Sequence, residues 1–184
     1  MIRYTDYMKN SIKNIRLVKP AVYGATDGII TTFAVVASVA GAGLSPSIVL
    51  IMGIANMLAD GVSMGLGDFL GERSEQLAES SGKKGKISQV WKTGAVTFFS
   101  FVMAGIFPLT PYFIQFFGVQ IATENQFGYS ILATLTVLFF VGTLRTILIP
   151  RAWWKNGLEM LLIGSLAAGV AYFFGYFVDT LIMQ

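Results

Sequence analysis

Gly41-Ala-Gly-Leu-Ser-Pro-Ser47 decides how this chain folds. It interrupts a stretch, Gly28 to Ala59, that carries no charge. Two glycines followed by Ser-Pro read as a helix end, a tight turn and a new helix with Pro46 in its first turn. A membrane-spanning helix needs about 20 mostly apolar residues. Neither Gly28–Gly41 nor Pro46–Ala59 is that long. Each helix must therefore reach beyond the uncharged stretch, the first back to about residue 20 and the second on to about residue 70. The first then carries Asp27 into the apolar layer, and the second carries Asp60.

The rest of the chain follows the same pattern. Thr93 to Thr123, Asn125 to Leu144 and Met160 to Val178 are also uncharged. The spacing predicts an all-α membrane protein with five transmembrane helices, at about 20–42, 46–70, 90–117, 127–149 and 156–180. Residues 1–19 read as a basic interfacial N-terminal segment. Residues 20–184 read as the transmembrane domain, with a short cytoplasmic loop at about 71–90. Of the 184 residues 54% are hydrophobic and only 12% charged. Soluble domains carry about twice that charged share, and disorder needs low hydrophobicity. The composition therefore argues against a soluble enzyme and rules out a disordered chain.

The chain has no His and no Cys. It thus lacks the commonest general base, the commonest metal ligand, a thiol nucleophile and any Cys-based zinc site. Phosphate-binding glycine loops and nucleophile elbows are absent too. No enzyme activity, catalytic residue or permanently bound cofactor is expected.

All 13 Lys and Arg fall before the first span, between the second and third, or around the fourth-to-fifth turn. The positive-inside rule then places the N-terminus in the cytoplasm and the C-terminus outside. Trp91, Trp153 and Trp154 fall at the same inner boundary, as an aromatic belt would. Anionic membrane lipid accounts for these basic clusters better than nucleic acid does. Met8, Ile12 and Ile15 share one helical face, which suits either an interfacial helix or a basic tail. The compact size and the lack of a targeting segment suit a prokaryotic plasma membrane.

A carboxylate inside a membrane costs about 2.5–3.5 kcal/mol on insertion scales. At 1.5 Å per residue, Asp27 and Asp60 both lie roughly 10–12 Å from the inner ends of their helices. In the second helix Gly53, Asn56, Met57, Asp60, Gly61, Met64, Gly67, Asp68 and Gly71 recur at spacings of three and four. In the first, Gly24, Asp27, Gly28, Thr31, Ser38 and Gly41 make a similar stripe. Carboxylate oxygens attract hard or borderline divalent cations, and a thioether adds preference for softer ones. A site of Asp27, Asp60 and Met64 suits Fe(II) or Mn(II). A carboxyl in a low dielectric keeps its proton until a cation displaces it, a physical basis for metal–proton exchange. The plainer reading is that methionines and glycines pack, and that an intramembrane Asp caps a kink.

Other features read two ways. Glu72, Glu75 and Glu79 share a helical face beyond the second span. Either they collect cations, or they form a solvated face balanced by Lys83, Lys84 and Lys86. Asp68, Glu72 and Glu75 are therefore carried as further candidate metal ligands. Pro108 and Pro111 break or kink the third span, and freed carbonyls there either line an exit path or only mark a bend. Gly164, Ala168, Ala171 and Gly175 make a small-residue seam for a neighbouring helix or a second subunit. Arg145 and Glu159 are expected to pair, rather than Glu159 gating a metal.

Four segments resemble the vacuolar iron transporter (VIT) family. They are Tyr23-Gly-Ala-Thr-Asp-Gly-Ile-Ile-Thr-Thr-Phe33, Leu58-Ala-Asp-Gly-Val-Ser-Met-Gly-Leu-Gly-Asp68, Gly105-Ile-Phe-Pro-Leu-Thr-Pro-Tyr112 and the run from Gly157 to Tyr172. They occur in the family's order, from about residue 20 to the C-terminus. The resemblance implies a five-helix homodimer that moves Fe(II), often Mn(II), out of the cytosol in exchange for protons. Its path would run between subunits, lined by the first two helices. The family's transport aspartate would be Asp27 and its methionine Met64, while the position of Asp60 is often small in the family. Better-known eukaryotic members insert a glutamate-rich metal-binding domain after the second span. Here the loop is only about 20 residues, and Glu72, Glu75 and Glu79 stand where a remnant would be. The rival readings are a passive cation channel or small-solute carrier, and a membrane scaffold whose aspartates only stabilise helix contacts.

Overall fold

The computed structural model describes the backbone of residues 2–79, 87–119, 121–147 and 151–182. Within those ranges it describes side chains from residue 17 onward, apart from 79, 87–89 and 116. The described residues form five long helices and no strand. These are α1 (Ile2–Gly41), α2 (Pro46–Glu79), α3 (Ile87–Phe113), α4 (Thr123–Leu144) and α5 (Trp153–Ile182). Short 3-10 turns follow α3 at Ile114–Phe117 and α4 at Arg145–Ile147. The segments long and apolar enough to cross a membrane are Leu17–Gly41, Pro46–Ala78, Val90–Phe113, Thr123–Ile147 and Trp153–Ile182. The expected all-α, five-span fold is the observed one.

Two helices outrun their expected limits. α1 passes through Pro20 and continues back to Ile2. A proline deprives the helix of one N–H donor, but the Lys, Arg, Met and Leu before it are good helix formers. α2 runs on past residue 70 to Glu79, so Glu72 and Glu75 sit on a helix. The side chains of Met8, Ile12, Ile15 and Glu79 lie outside the described residues, as do Lys83, Lys84 and Lys86.

The turn after α1 closes as its glycines require. Gly43 adopts a left-handed φ of 62°, which costs glycine nothing. Leu44 N–H then donates to Val39 O and Gly43 N–H to Ala40 O, both at 3.1 Å. That pair of bonds satisfies the last carbonyls of α1 as a Schellman motif. Ile48 N–H donates to Ser45 O at 3.0 Å as α2 starts.

α1 is the hub of the bundle and packs against all four other long helices, most extensively against α3. One apolar cluster gathers Phe33, Val36, Val39, Val49, Leu109 and Tyr112 towards the α1–α2 turn. A second gathers Ile29, Ala104, Leu138, Val141 and Met160. α3 is not broken by its prolines and continues to Phe113. Pro111 cannot donate to Phe107 O, and the Thr110 hydroxyl takes that carbonyl instead at 2.7 Å. The buried Ser130 hydroxyl of α4 donates to Pro108 O at 2.6 Å. The first bond stays within α3, and the second ties Pro108 O to α4.

The seam on α5 serves this chain's own helices. Gly164 lies against Leu138 of α4, and Gly175 against the Ser38 carbonyl of α1. Ser38 Oγ donates to Ala171 O at 3.1 Å. At the α4–α5 turn Arg145 meets Glu159 at 3.4 Å, the expected pair. Arg151 meets the same carboxylate more closely, at 2.8 Å.

Candidate functional site

The polar stripe of α2 resolves into three parallel rows. Gly53, Met57, Gly61 and Gly65 are buried, and the glycines of this row face Leu109, Phe98, Phe101 and Gly94 of α3. Asn56, Asp60, Met64, Asp68, Glu72 and Gln76 follow at every fourth residue, all half-buried. Ala55, Ala59, Ser63, Gly67 and Gly71 form a third row, fully exposed. Positions three and four apart cover a broad arc of a helix. One periodic stripe therefore held a packing seam, a polar ridge and an exposed ridge of small residues.

α1 divides likewise. A Cβ on Gly28 would lie 2.3 Å from Phe101 O, so only glycine admits α3 this closely. Gly24 meets Thr97 and Ser100 of α3, and Gly41 meets Tyr172 of α5. The glycines thus face α3 and α5, while Asp27, Thr31 and Ser38 stay half-buried.

Asp27 of α1 and Asp60 of α2 are both half-buried, on two helices that pack against each other. Asn56 Nδ2 donates to Asp60 Oδ2 at 2.8 Å. The Thr31 hydroxyl donates to the Asp27 main-chain carbonyl at 2.8 Å, not to its carboxyl. Met64 stands one turn from Asp60 on the same ridge, and Asp68 one turn further. Asp68 is tied to α3, because the fully buried Thr97 donates its hydroxyl to Asp68 Oδ2. Glu72 lies one turn beyond and accepts from Gln76 Nε2 at 2.9 Å. Glu75 is exposed.

Among the described residues no three carboxylates converge on one point. The six candidate ligands therefore do not form a single cluster. Asp27 stands alone of the six on α1, while Asp60, Met64, Asp68, Glu72 and Glu75 run along α2. Asn56 belongs to this ridge and was present in the stripe, but spacing alone gave no sign of its bond to Asp60. A separate cavity of about 310 Å³ between α1, α4 and α5 is lined by Phe33, Phe127, Leu138 and Tyr172 among others, and by no carboxylate.

Carboxylate oxygens and a thioether are the donor types that suit a divalent transition metal. Comparison with known proteins identifies the family. A family model described as the VIT family matches residues 18–89 and 78–176. The "Vacuolar iron transporter" of Toxoplasma gondii is 49% identical over 59 residues, which cover 32% of this chain and 20% of that protein. The protein of the same name from Plasmodium berghei is 24% identical over 226 residues, 89% of this chain and 82% of the relative. "Vacuolar iron transporter 1" of Eucalyptus grandis is 24% identical over 214 residues, 85% of this chain and 84% of the relative. The last two alignments are longer than this chain of 184 residues, so those relatives carry segments it lacks. These relatives are eukaryotic proteins named for the vacuole and lend no support to a prokaryotic plasma membrane.

Proposed function

The chain belongs to the VIT family, and from that membership we propose that it exports Fe(II) or Mn(II) from the cytosol in exchange for protons. The observation that carries this reading is that two half-buried carboxylates, Asp27 and Asp60, stand on two membrane-spanning helices that pack against each other. Two intramembrane carboxylates at one level are costly, and a divalent cation between them offsets both charges. Asp27 and Met64 act as metal ligands, and Asp60 as a ligand or proton carrier. Protons and metal compete for the same oxygens, which couples their movements. Glu72 and Glu75 form an acidic helix face that draws cations toward the ridge from the cytoplasmic side.

One chain supplies too few donors for Fe(II) or Mn(II). Octahedral oxygen sites are usual for Mn(II), whereas no third carboxylate joins this pair among the described residues. A second copy facing the α2 ridge completes the set, so the working unit is a homodimer. The exposed row from Ala55 to Gly71 supports this, since small residues let two helices approach closely in a membrane. A Cβ on Gly67 or Gly71 would meet nothing within 4 Å in the single chain.

The test is metal uptake into proteoliposomes holding the purified protein, with and without an imposed pH gradient. Uptake of Fe(II) or Mn(II) that rises with the gradient is the expected result. Uptake indifferent to the gradient would replace the exchanger with a channel. No uptake of either metal would reject the transport reading.

A further inference from the structure

We propose that Asn56 makes the site selective against Ca(II) by occupying one of the two oxygens of Asp60. The inference rests on the metal-transport reading above. Asn56 Nδ2 donates to Asp60 Oδ2 at 2.8 Å. Residues four apart are neighbours on one helix, so α2 makes this bond by itself. It persists when α1 and α2 shift relative to each other. Both side chains are half-buried within a span, where a hydrogen bond is stronger than in open water.

The consequence lies in how Asp60 can bind. A free carboxylate offers two oxygens to a cation. With Oδ2 accepting from the amide, one of its lone pairs is taken and part of its charge offset, so Oδ1 is the stronger ligand atom of Asp60. Ca(II) takes six to eight oxygens and commonly uses a carboxylate through both. Fe(II) and Mn(II) need fewer donors, and Fe(II) tolerates the thioether of Met64 better than Ca(II) does. Weakening two-oxygen contact therefore penalises Ca(II) more than the transition metals. Specificity of this kind comes from what a site refuses as much as from what it holds.

The experiment is Mn(II) uptake into proteoliposomes with Ca(II) as competitor, for the wild type, Asn56→Leu and Asn56→Gln. Leucine keeps much of the shape and removes the donor. Glutamine retains an amide that can reach an acid four residues on. In Asn56→Leu the Ca(II) concentration for half-inhibition should fall about tenfold, the worth of one hydrogen bond to a charged group. The KM for Mn(II) should change less than the half-inhibiting Ca(II) concentration, and Asn56→Gln should keep the wild-type ratio. A merely structural role would lower uptake without moving that ratio. Should the leucine variant not fold, Asn56→Ser, whose hydroxyl is too short to span the turn, carries the same expectation. An unchanged ratio in a variant that still moves Mn(II) overturns this inference alone. Failure of the wild type to move Mn(II) or Fe(II) overturns the transport reading and this inference with it.

Discussion

Replacing Gly28 with alanine tests whether the α1–α3 contact holds the carboxylate pair in register. The new Cβ would lie 2.3 Å from Phe101 O, 2.8 Å from its carbonyl carbon and 2.9 Å from its Cα. All three are backbone atoms, so no side-chain rotation relieves the clash. Ordinary contact begins at 3.4 Å, and α1 and α3 must therefore part by about 1 Å, an overpacking that costs about 1–3 kcal/mol. Asp27 is the adjacent residue and moves with the backbone. A misplacement of about 1 Å at a positioned site costs up to about 100-fold in rate. The expected result is a lower melting temperature in detergent together with Mn(II) uptake reduced by about 10- to 100-fold. Gly128→Ala is the control, since its Cβ meets nothing within 4 Å on an exposed face of α4. It should be neutral or stabilise by up to about 1 kcal/mol. A Gly28→Ala protein that melts and transports like the wild type would refute the reasoning.

Three further outcomes follow from single contacts. Ser130→Ala removes the buried bond to Pro108 O and should cost about 1–2 kcal/mol in thermal unfolding, because the carbonyl has no water to turn to. Glu159→Gln disrupts the pairs with Arg145 and Arg151, but these side chains are partly exposed. Its cost should stay below about 1 kcal/mol and shrink with added salt. The chain has no cysteine, so Ser63→Cys introduces a single thiol on the exposed row of α2. Mild oxidation in the membrane should yield a covalent dimer on a non-reducing gel, and a persistent monomer would count against a two-chain working unit.

Much of the fold could be read from charge placement and one turn. The glycine cluster at 41–43 forced two helices where hydropathy alone suggested one, and the Schellman closure at Gly43 is its physical form. Which faces meet was much less legible. In a membrane both lipid-facing and protein-facing surfaces are apolar, so periodicity marks special residues without naming their neighbours. The α2 stripe looked like one functional face, yet Gly53, Gly61 and Gly65 serve α3 while Gly67 and Gly71 stand open. The α5 seam fitted a second subunit as well as its own bundle, and only Ser38 and Leu138 decide the matter. Arg151 escaped notice as a partner of Glu159 because eight residues of separation crosses a turn. The limits of α1 and α2 were missed because hydropathy reports where the apolar layer ends and not where helical hydrogen bonding ends.

Asp27, Asp60 and Asp68 are not equally reconciled with the bundle, and the differences assign them different work. Asp68 accepts from a fully buried hydroxyl of α3, beside the close crossing of Gly65 and Gly94. Asp60 has one oxygen occupied by Asn56. The Asp27 carboxyl accepts no side-chain hydrogen bond among the described residues, although it is half-buried. An acid retained for packing should be satisfied by the packing, as Asp68 is. An acid left partly uncompensated, at about 2.5–3.5 kcal/mol for an intramembrane carboxylate, needs another reason to stay. Asp27→Asn should therefore raise the melting temperature while cutting metal uptake at least about tenfold, the loss expected for one charged ligand. Asp68→Asn keeps an oxygen that Thr97 can bond, so it should change uptake far less. If Asp68→Asn loses uptake as fully as Asp27→Asn does, the cation path runs the length of the α2 ridge, and the division of roles drawn from these hydrogen bonds is wrong.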